Sequence, residues 1–181
     1  RRVAWAGAAT SRRVCMAHVF YPFFFDRISY EIGGFRFSLN EMEHGLLRSN
    51  RRQPYRVLRP LRKGDPRLEF TILPPDSRIH FALVCGARSC PPIGFYEAEQ
   101  IDFQLGLAAM SFINSPQVKI LPEEKTVSIS MIFKWYKIDF GGSDRALLET
   151  LLKYLDEGKD KAFLEENRNQ IRIRYQPYDW N

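Results

Sequence analysis

Two cysteines lie close together in a segment that runs from His80 to Pro92. A cysteine reacts as its thiolate, and a nearby cation such as Arg88 favours that form. Cys85, which ends an apolar run, is therefore a candidate nucleophile. Cys90 is a candidate redox partner, although the spacing Cys-x4-Cys is typical neither of thioredoxin-like sites nor of zinc fingers.

A second candidate site lies on a predicted helix from Leu39 to Arg48. At helical spacing its apolar arc consists of Leu39, Met42, Leu46 and Leu47. Glu43 falls within this arc and His44 lies at its edge, so a carboxylate is predicted to point toward the core, where it needs a partner. The two residues would act as acid and base, orient a catalytic group, or form a structural ion pair that anchors the helix.

These residues combine into three alternative functions. In the first, Cys85 is the nucleophile of a thiol-dependent hydrolase or acyl transferase, His44 is the base and Glu43 orients it. In the second, the same polar groups form a buried structural network in a non-catalytic interaction module. In the third, Cys85 and Cys90 act as a redox-active thiol pair. His80 is a further catalytic candidate, although on a strand it would point away from Cys85.

Further polar and aromatic residues are candidate binding residues. Two aromatic clusters, Phe133–Phe140 and Tyr175–Trp180, each contain aspartate and would form either core or the wall of a pocket. The predicted binding set is Arg48, Arg88, Ser89, Cys90, Trp135, Tyr136, Asp139 and Asp179. A metal site built from two cysteines and two histidines would require three elements to converge, so neither a metal nor another cofactor is predicted. The sequence does not specify whether the ligand is a small molecule or a protein.

Local patterns predict the elements that position these residues. The stretch Ile28–Phe37 alternates polar and apolar residues around Gly33 and Gly34, which predicts a hairpin, and Ser38 and Glu41 have the spacing of a capping box. The other predicted elements are a buried strand Arg78–Cys85, a helix Glu97–Ile113, strands Val118–Leu121 and Thr126–Ile132, a helix capped by Ser143 and running through Leu155, and a strand Ile171–Tyr175. This order predicts an α+β fold, with a small mixed or antiparallel sheet packed against several helices.

The segment Arg48–Arg67 is strongly basic. Its charged residues are Arg48, Arg51, Arg52, Arg56, Arg59, Arg62, Lys63 and Arg67, against a single Asp65. Such a segment either attracts an acidic partner or forms a solvated loop whose arginines pair with carboxylates elsewhere. No nucleic-acid-binding motif accompanies it, so nucleic acid is not a predicted partner.

Composition bounds the class of protein. Of the 181 residues, 45% are hydrophobic and 27% charged, a balance typical of a folded globular chain. No apolar run approaches the ~20 residues of a membrane-spanning helix. Three cysteines are too few for a disulfide scaffold, and a cytoplasmic location is slightly favoured. Residues 1–19 match no recognised pattern and are expected to be a fragment edge or poorly ordered, whereas residues 20–181 are expected to form one domain.

Five segments, taken in order, resemble the signature blocks of the family known as domain of unknown function 547. They are Tyr30-Glu-Ile-Gly-Gly, Ser38-Leu-Asn-Glu-Met-Glu-His-Gly-Leu-Leu-Arg48, His80-Phe-Ala-Leu-Val-Cys-Gly-Ala-Arg-Ser-Cys-Pro-Pro92, Lys134-Trp-Tyr-Lys-Ile-Asp-Phe140 and Tyr175-Gln-Pro-Tyr-Asp-Trp180. The resemblance covers about residues 22–180 and implies a family but no reaction.

The chain departs from this family in two places. The upstream block that resembles Ile-Asn-x-Tyr-Asn is absent, and the chain ends Trp180-Asn181 where family members continue Trp-Ser-Leu-Asn. If the upstream asparagine and tyrosine belong to the site of the family, this chain is expected to be an incomplete or inactive version.

Overall fold

The computed structural model describes residues 23–181. Chain contacts divide these residues into a smaller unit, residues 23–77, and a larger unit, residues 78–181. Each unit contains helical segments and strands, so the predicted α+β class is confirmed. No helix within residues 23–181 is long and apolar enough to cross a membrane. The expectation about residues 1–19 lies outside the described residues.

The smaller unit contains the predicted hairpin. Helix α1 (Phe24–Arg27) leads into strands β1 (Ser29–Ile32) and β2 (Phe35–Ser38), which pair antiparallel. Gly33 and Gly34 form the turn with φ of +58° and +80°. Only glycine adopts these angles without a steric penalty from a Cβ atom, which is why this pair terminates one strand and begins the next.

The helix that follows the hairpin has an unexpected geometry. The capping box is confirmed, since Ser38 N donates to Glu41 Oε2 at 2.9 Å and Glu41 N donates to Ser38 Oγ at 3.1 Å. From Glu41 to Leu47, however, the helix is a π-helix. Arg48 N donates to the carbonyl of Glu43, five residues back, at 2.9 Å. Wider turns change which side chains share a face, so a wheel drawn for an α-helix misplaces them.

The larger unit is organised around a three-stranded mixed sheet. Its strands are β3 (Val118–Leu121), β4 (Thr126–Ile129) and β5 (Arg172–Tyr175), in the order β3-β4-β5. Strands β3 and β4 pair antiparallel, whereas β4 and β5 pair parallel. A parallel pair requires a long crossover, and residues 130–171 supply it.

Residues 78–181 also contain four α-helices. They are α2 (Ile101–Ile113), α3 (Met131–Trp135), α4 (Asp144–Tyr154) and α5 (Lys159–Asn167). Ser143 caps α4 as predicted, because its Oγ accepts from Ala146 N at 3.1 Å. The buried core includes Phe81, Phe112, Val127, Ile129, Phe133, Phe140, Leu147 and Leu151.

Two strand predictions require correction. The predicted strand Arg78–Cys85 is wrong: Ser77–Phe81 is a 3-10 helix, and Ala82 N and Leu83 N both donate to the carbonyl of Ile79. A short apolar run does not distinguish a buried strand from a buried helical turn, and only Ile79, His80 and Phe81 of the predicted stretch are buried. The strand predicted to end at Ile132 ends at Ile129, because Ser130 caps α3.

A glycine pair before α4 allows a test of the local fold. Gly141 and Gly142 have φ of +91° and +77°, but a Cβ atom on Gly141 would lie 2.7 Å from Ala146 Cβ, whereas one on Gly142 would make an ordinary contact at 3.6 Å with Ile138. We expect Gly142→Ala to cost about 1–2 kcal/mol of unfolding free energy from backbone strain. Gly141→Ala should cost about 1–3 kcal/mol more from the clash. Urea unfolding measures the free energy of unfolding of both variants. Equal losses would contradict the expected clash between residue 141 and Ala146.

Candidate functional site

The two cysteines of the larger unit lie side by side on the loop that follows the 3-10 helix. Their Sγ atoms are 2.7 Å apart, and both thiols are free and half-buried. Cys90 N donates to the carbonyl of Ala87 at 3.0 Å and closes a turn, while Gly86 has φ of +88°. The Cys85 backbone amide donates to Cys90 Sγ at 3.1 Å. A spacing that matches no common motif therefore forms a dithiol in direct contact.

Tyr178 completes this dithiol site. Its hydroxyl lies 3.2 Å from Cys90 Sγ and 3.5 Å from Cys85 Sγ. Tyr178 belongs to an aromatic cluster of the sequence, but its contact with the cysteines was not predicted. The contact joins residues 88 and 93 positions apart, and no local pattern reveals where a distant hydroxyl will point.

Backbone hydrogen bonds hold residues 176–181, the C-terminal segment, against the cysteine loop. Ser89 N donates to the Asp179 carbonyl at 3.2 Å, and Asp179 N donates back to Ser89 Oγ at 2.9 Å. Arg88 N donates to the Asn181 carbonyl at 2.9 Å. The exposed Arg88 guanidinium lies 3.7 Å from the Asp179 carboxylate. Three predicted binding residues, Arg88, Ser89 and Asp179, thus fix the segment that carries Tyr178.

The hydrogen bonds make the two thiols unequal. Cys90 Sγ accepts from the Cys85 thiol, the Tyr178 hydroxyl and the Cys85 amide, and these donors lower its pKa to about 6 against the opposing effect of burial. The bond to Cys90, followed by burial and the negative charge of Cys90, raises the pKa of Cys85 well above its usual range. Burial, followed by the charge of the cysteines, raises the pKa of Tyr178. The sequence favoured Cys85 as the thiolate, whereas the geometry favours Cys90.

An aromatic cluster packs beside the dithiol site. The ring centroids of Trp135 and Tyr178 are 4.8 Å apart, those of Tyr178 and Trp180 are 4.6 Å apart, and those of Trp135 and Trp180 are 5.6 Å apart. The indole Nε1 of Trp135 is buried without a hydrogen-bond partner among the described residues. Helix α3 therefore brings Trp135, a predicted binding residue, to the tyrosine that contacts both cysteines.

His80, Tyr136 and Asp139 form a separate, buried cluster. His80 Nε2 lies 2.8 Å from Asp139 Oδ2, and each side chain is 1% exposed. The Tyr136 ring stacks on the imidazole, with centroids 3.9 Å apart and planes 16° apart. Such a pair satisfies two polar groups inside an aromatic core and anchors the 3-10 helix to the segment after α3.

The third cluster, Glu43, His44 and Arg48, lies in the smaller unit. The His44 side chain is 3% exposed and that of Glu43 is 26% exposed, which reverses the predicted order of burial. His44 Nδ1 lies 2.8 Å from Arg48 Nη1 and 3.5 Å from Glu43 Oε1. A guanidinium only donates, so a hydrogen bond from Arg48 requires the Nδ1 lone pair of His44 to accept. While Nδ1 accepts this hydrogen bond, it cannot act as a catalytic base.

The structure thus separates the predicted site residues into three groups. The first group is the Cys85–Cys90 dithiol with Arg88, Ser89, Asp179 and Trp135. The second is the His80–Asp139 pair with the stacked Tyr136. The third, in the smaller unit, is Glu43, His44 and Arg48. Within residues 23–181, no group of three or more His, Cys, Asp or Glu side chains is arranged to hold a metal ion.

Comparison with known proteins places this α+β chain in a family. A family model described as "Protein of unknown function, DUF547" matches residues 10–113, more than half of the chain. The chain therefore belongs to this family, as its signature blocks indicated. No curated protein and no solved structure matches it. The cysteine loop lies inside the matched range, whereas the C-terminal segment lies beyond it.

Proposed function

We propose that the chain is a thiol–disulfide exchange protein in which Cys90 attacks and Cys85 resolves. The observation that supports this most directly is the 2.7 Å separation of two half-buried Sγ atoms with unequal surroundings. Thiol–disulfide exchange requires a thiolate to attack and a second thiol within reach of the mixed disulfide. A pKa of about 6 at Cys90 supplies the thiolate at neutral pH.

The reaction proceeds in two balanced steps. The Cys90 thiolate attacks one sulfur of a substrate disulfide, forms a mixed disulfide and releases the other sulfur as a thiolate, which takes a proton from solvent. Cys85 then gives its proton to solvent and attacks Cys90 Sγ, and the second substrate sulfur leaves as a thiolate that takes up a proton. The substrate disulfide is reduced to two thiols, and the Cys85 and Cys90 thiols are oxidised to one disulfide.

Tyr178 positions and polarises the thiolate in this proposal. While Cys90 is anionic, the hydroxyl donates to it; when Cys90 enters the mixed disulfide, that sulfur loses its charge and accepts more weakly. The hydroxyl then remains 3.5 Å from Cys85 Sγ, where it can stabilise the second thiolate as it forms. One donor therefore serves both sulfurs in turn.

A hydrolase that uses Cys85, His44 and Glu43 stays a prediction with less geometric support. The pKa of Cys85 is raised, because its thiol donates a hydrogen bond to Cys90 and burial disfavours its charge. The Nδ1 atom of His44 accepts from Arg48 and so cannot also accept a proton from a thiol. A non-catalytic module with structural polar groups also stays a prediction, and the sealed His80–Asp139 pair favours it.

Trapping the mixed disulfide tests the proposed order of attack. All variants carry Cys15→Ser, since Cys15 lies outside the described residues. With oxidised glutathione at pH 7, Cys85→Ala should accumulate one glutathione adduct on Cys90, because the resolving thiol is missing. Cys90→Ala should react more slowly, because Cys90 in Cys85→Ala keeps the Tyr178 hydroxyl at 3.2 Å and the residue-85 amide at 3.1 Å, whereas that hydroxyl lies 3.5 Å from Cys85 Sγ. Equal adduct formation by the two variants would refute the assignment.

Removing the Tyr178 hydroxyl should raise the pKa of Cys90. A hydrogen bond to a charged group contributes about 1.5–3 kcal/mol, so we expect Tyr178→Phe to raise that pKa by about 1 to 2, at about 1.4 kcal/mol per pKa unit. Tyr154→Phe, a half-buried tyrosine elsewhere in the larger unit, is the matched control. The pH dependence of Cys90 alkylation measures this pKa. Identical profiles for both variants would show that the Tyr178 hydroxyl does not stabilise the Cys90 thiolate.

A further inference from the structure

The most exposed apolar side chains of the smaller unit lie on one loop, residues 51–63. The loop has a closed base, because Asn50 Nδ2 donates to the Leu61 carbonyl at 2.9 Å and Leu61 N donates to Asn50 Oδ1 at 3.0 Å. Asn50 and Leu61 are both buried. Arg59 Nη1 adds a bond to the Asn50 carbonyl at 3.3 Å. A loop whose ends are joined in this way presents its tip in a defined direction.

Three apolar residues form the tip of the 51–63 loop. Tyr55 is 87% exposed, Val57 79% and Leu58 80%. Apolar side chains that project together into solvent are typical of surfaces that bind a partner. Because these side chains project into solvent, they do not line a groove or pocket of this protein. They fit a partner into whose surface they can insert.

Exposed basic side chains flank the apolar tip along the chain. Arg52, Arg59, Arg62 and Lys63 are exposed and make no ion pair with any residue between 23 and 181. Arg56 pairs with Asp26 at 2.6 Å. Four positive charges within residues 52–63 therefore have no carboxylate partner among residues 23–181.

Other basic residues of the segment Arg48–Arg67 serve the fold. Arg48 is 1% exposed and donates to His44 and to the Arg52 carbonyl. Arg67 pairs with Glu41 at 3.0 Å and with Asp65 at 2.8 Å. The exposed charges without an ion pair are therefore fewer than the basic residues of the segment, and they lie in the same stretch, residues 52–63, as the exposed apolar side chains.

We propose that the 51–63 loop binds the surface of an anionic phospholipid bilayer. Tyr55, Val57 and Leu58 enter the interface between headgroups and acyl chains, while the four unpaired basic side chains contact lipid phosphates. Aliphatic side chains gain little from nucleic acid, which is bound through stacking and phosphate contacts. A protein partner would need a cavity for a convex tip, whereas a bilayer deforms around it. In this proposal the loop binds at the surface of the bilayer and does not cross it.

Vesicle binding by the full chain tests this proposal. Vesicles of phosphatidylcholine with about 30% phosphatidylserine should sediment the protein at low ionic strength, whereas vesicles of phosphatidylcholine alone should bind much less. Val57→Ser with Leu58→Ser should weaken binding about ten-fold or more through lost apolar insertion. Arg62→Gln with Lys63→Gln should weaken it roughly 30-fold through two lost charges.

The matched control is Phe95→Ser with Phe103→Ser, which removes two apolar side chains that are 73% and 65% exposed in the larger unit. This control should bind like the unmodified chain. Circular dichroism verifies that every variant is folded. The proposal is overturned if the unmodified chain does not bind anionic vesicles, or if the charge variant loses binding while the Val57 and Leu58 variant does not. The latter result would indicate electrostatic adsorption to the vesicle surface without insertion of the apolar tip.

Discussion

Replacement of Cys85 by alanine should raise the pKa of Cys90 from about 6 toward the ordinary thiol value. The largest stabilising contribution to the Cys90 thiolate is the hydrogen bond from the Cys85 thiol. Without it, the thiolate fraction at pH 7 should fall from about nine-tenths to a minor fraction. We would measure the rate of Cys90 alkylation by iodoacetamide against pH, in the Cys15→Ser background, with mass spectrometry to identify the modified residue.

The pH at which alkylation rises distinguishes a stabilised Cys90 thiolate from an ordinary thiol. In the unmodified pair, alkylation of Cys90 should rise through about pH 6 and change little above pH 7, because the thiolate is already formed. In Cys85→Ala, the rise should move to higher pH. Cys85→Ser restores a hydroxyl donor and should give an intermediate midpoint. A Cys90 midpoint near ~8.5 in the unmodified protein would show that the neighbouring donors do not stabilise its anion.

Asp139→Ala should produce the largest loss of stability among single polar substitutions in the larger unit. It leaves His80 buried without its carboxylate partner, and removal of one member of a buried pair typically costs about 3–5 kcal/mol. Asp144→Ala is the matched control, since its carboxylate is 64% exposed and pairs with Lys137 at the surface. Loss of an exposed pair costs about 1 kcal/mol or less. Urea unfolding would give both values.

The double variant His80→Phe with Asp139→Leu extends this comparison. It removes both polar groups and places apolar side chains in the space that they occupied, so its loss should be smaller than that of Asp139→Ala. Equal losses for Asp139→Ala and Asp144→Ala would mean that the His80–Asp139 contact contributes no more than a surface pair. The same result would weaken the structural interpretation of this cluster.

Local signals predicted much of the fold. The glycine pair at 33 and 34, the capping box of Ser38 and Glu41, and the Ser143 cap each depend on residues within a few positions of one another, and each is present. The strand prediction for Arg78–Cys85 was wrong, because one sequence pattern fits two local structures. The apolar run before Cys85 fits a buried strand as well as a buried 3-10 turn.

The candidate site was only partly predictable for the same physical reason. Both cysteines lie in one segment, so their possible redox pairing followed from the sequence. Tyr178 acts across 88 to 93 positions, and its direction depends on how the C-terminal segment binds the loop. The burial of Glu43 and His44 was reversed because the wheel assumed α-helical turns where the chain forms a π-helix.

The most direct test of the proposed function is the redox equilibrium of the dithiol. The Cys15→Ser protein would be equilibrated in glutathione buffers that span about −300 to −120 mV, quenched with acid and analysed by intact mass. The account predicts one transition between a dithiol and an internal disulfide, with the loss of two hydrogen atoms and no retained glutathione. Two thiols that stay reduced throughout, or that each retain glutathione, would contradict it.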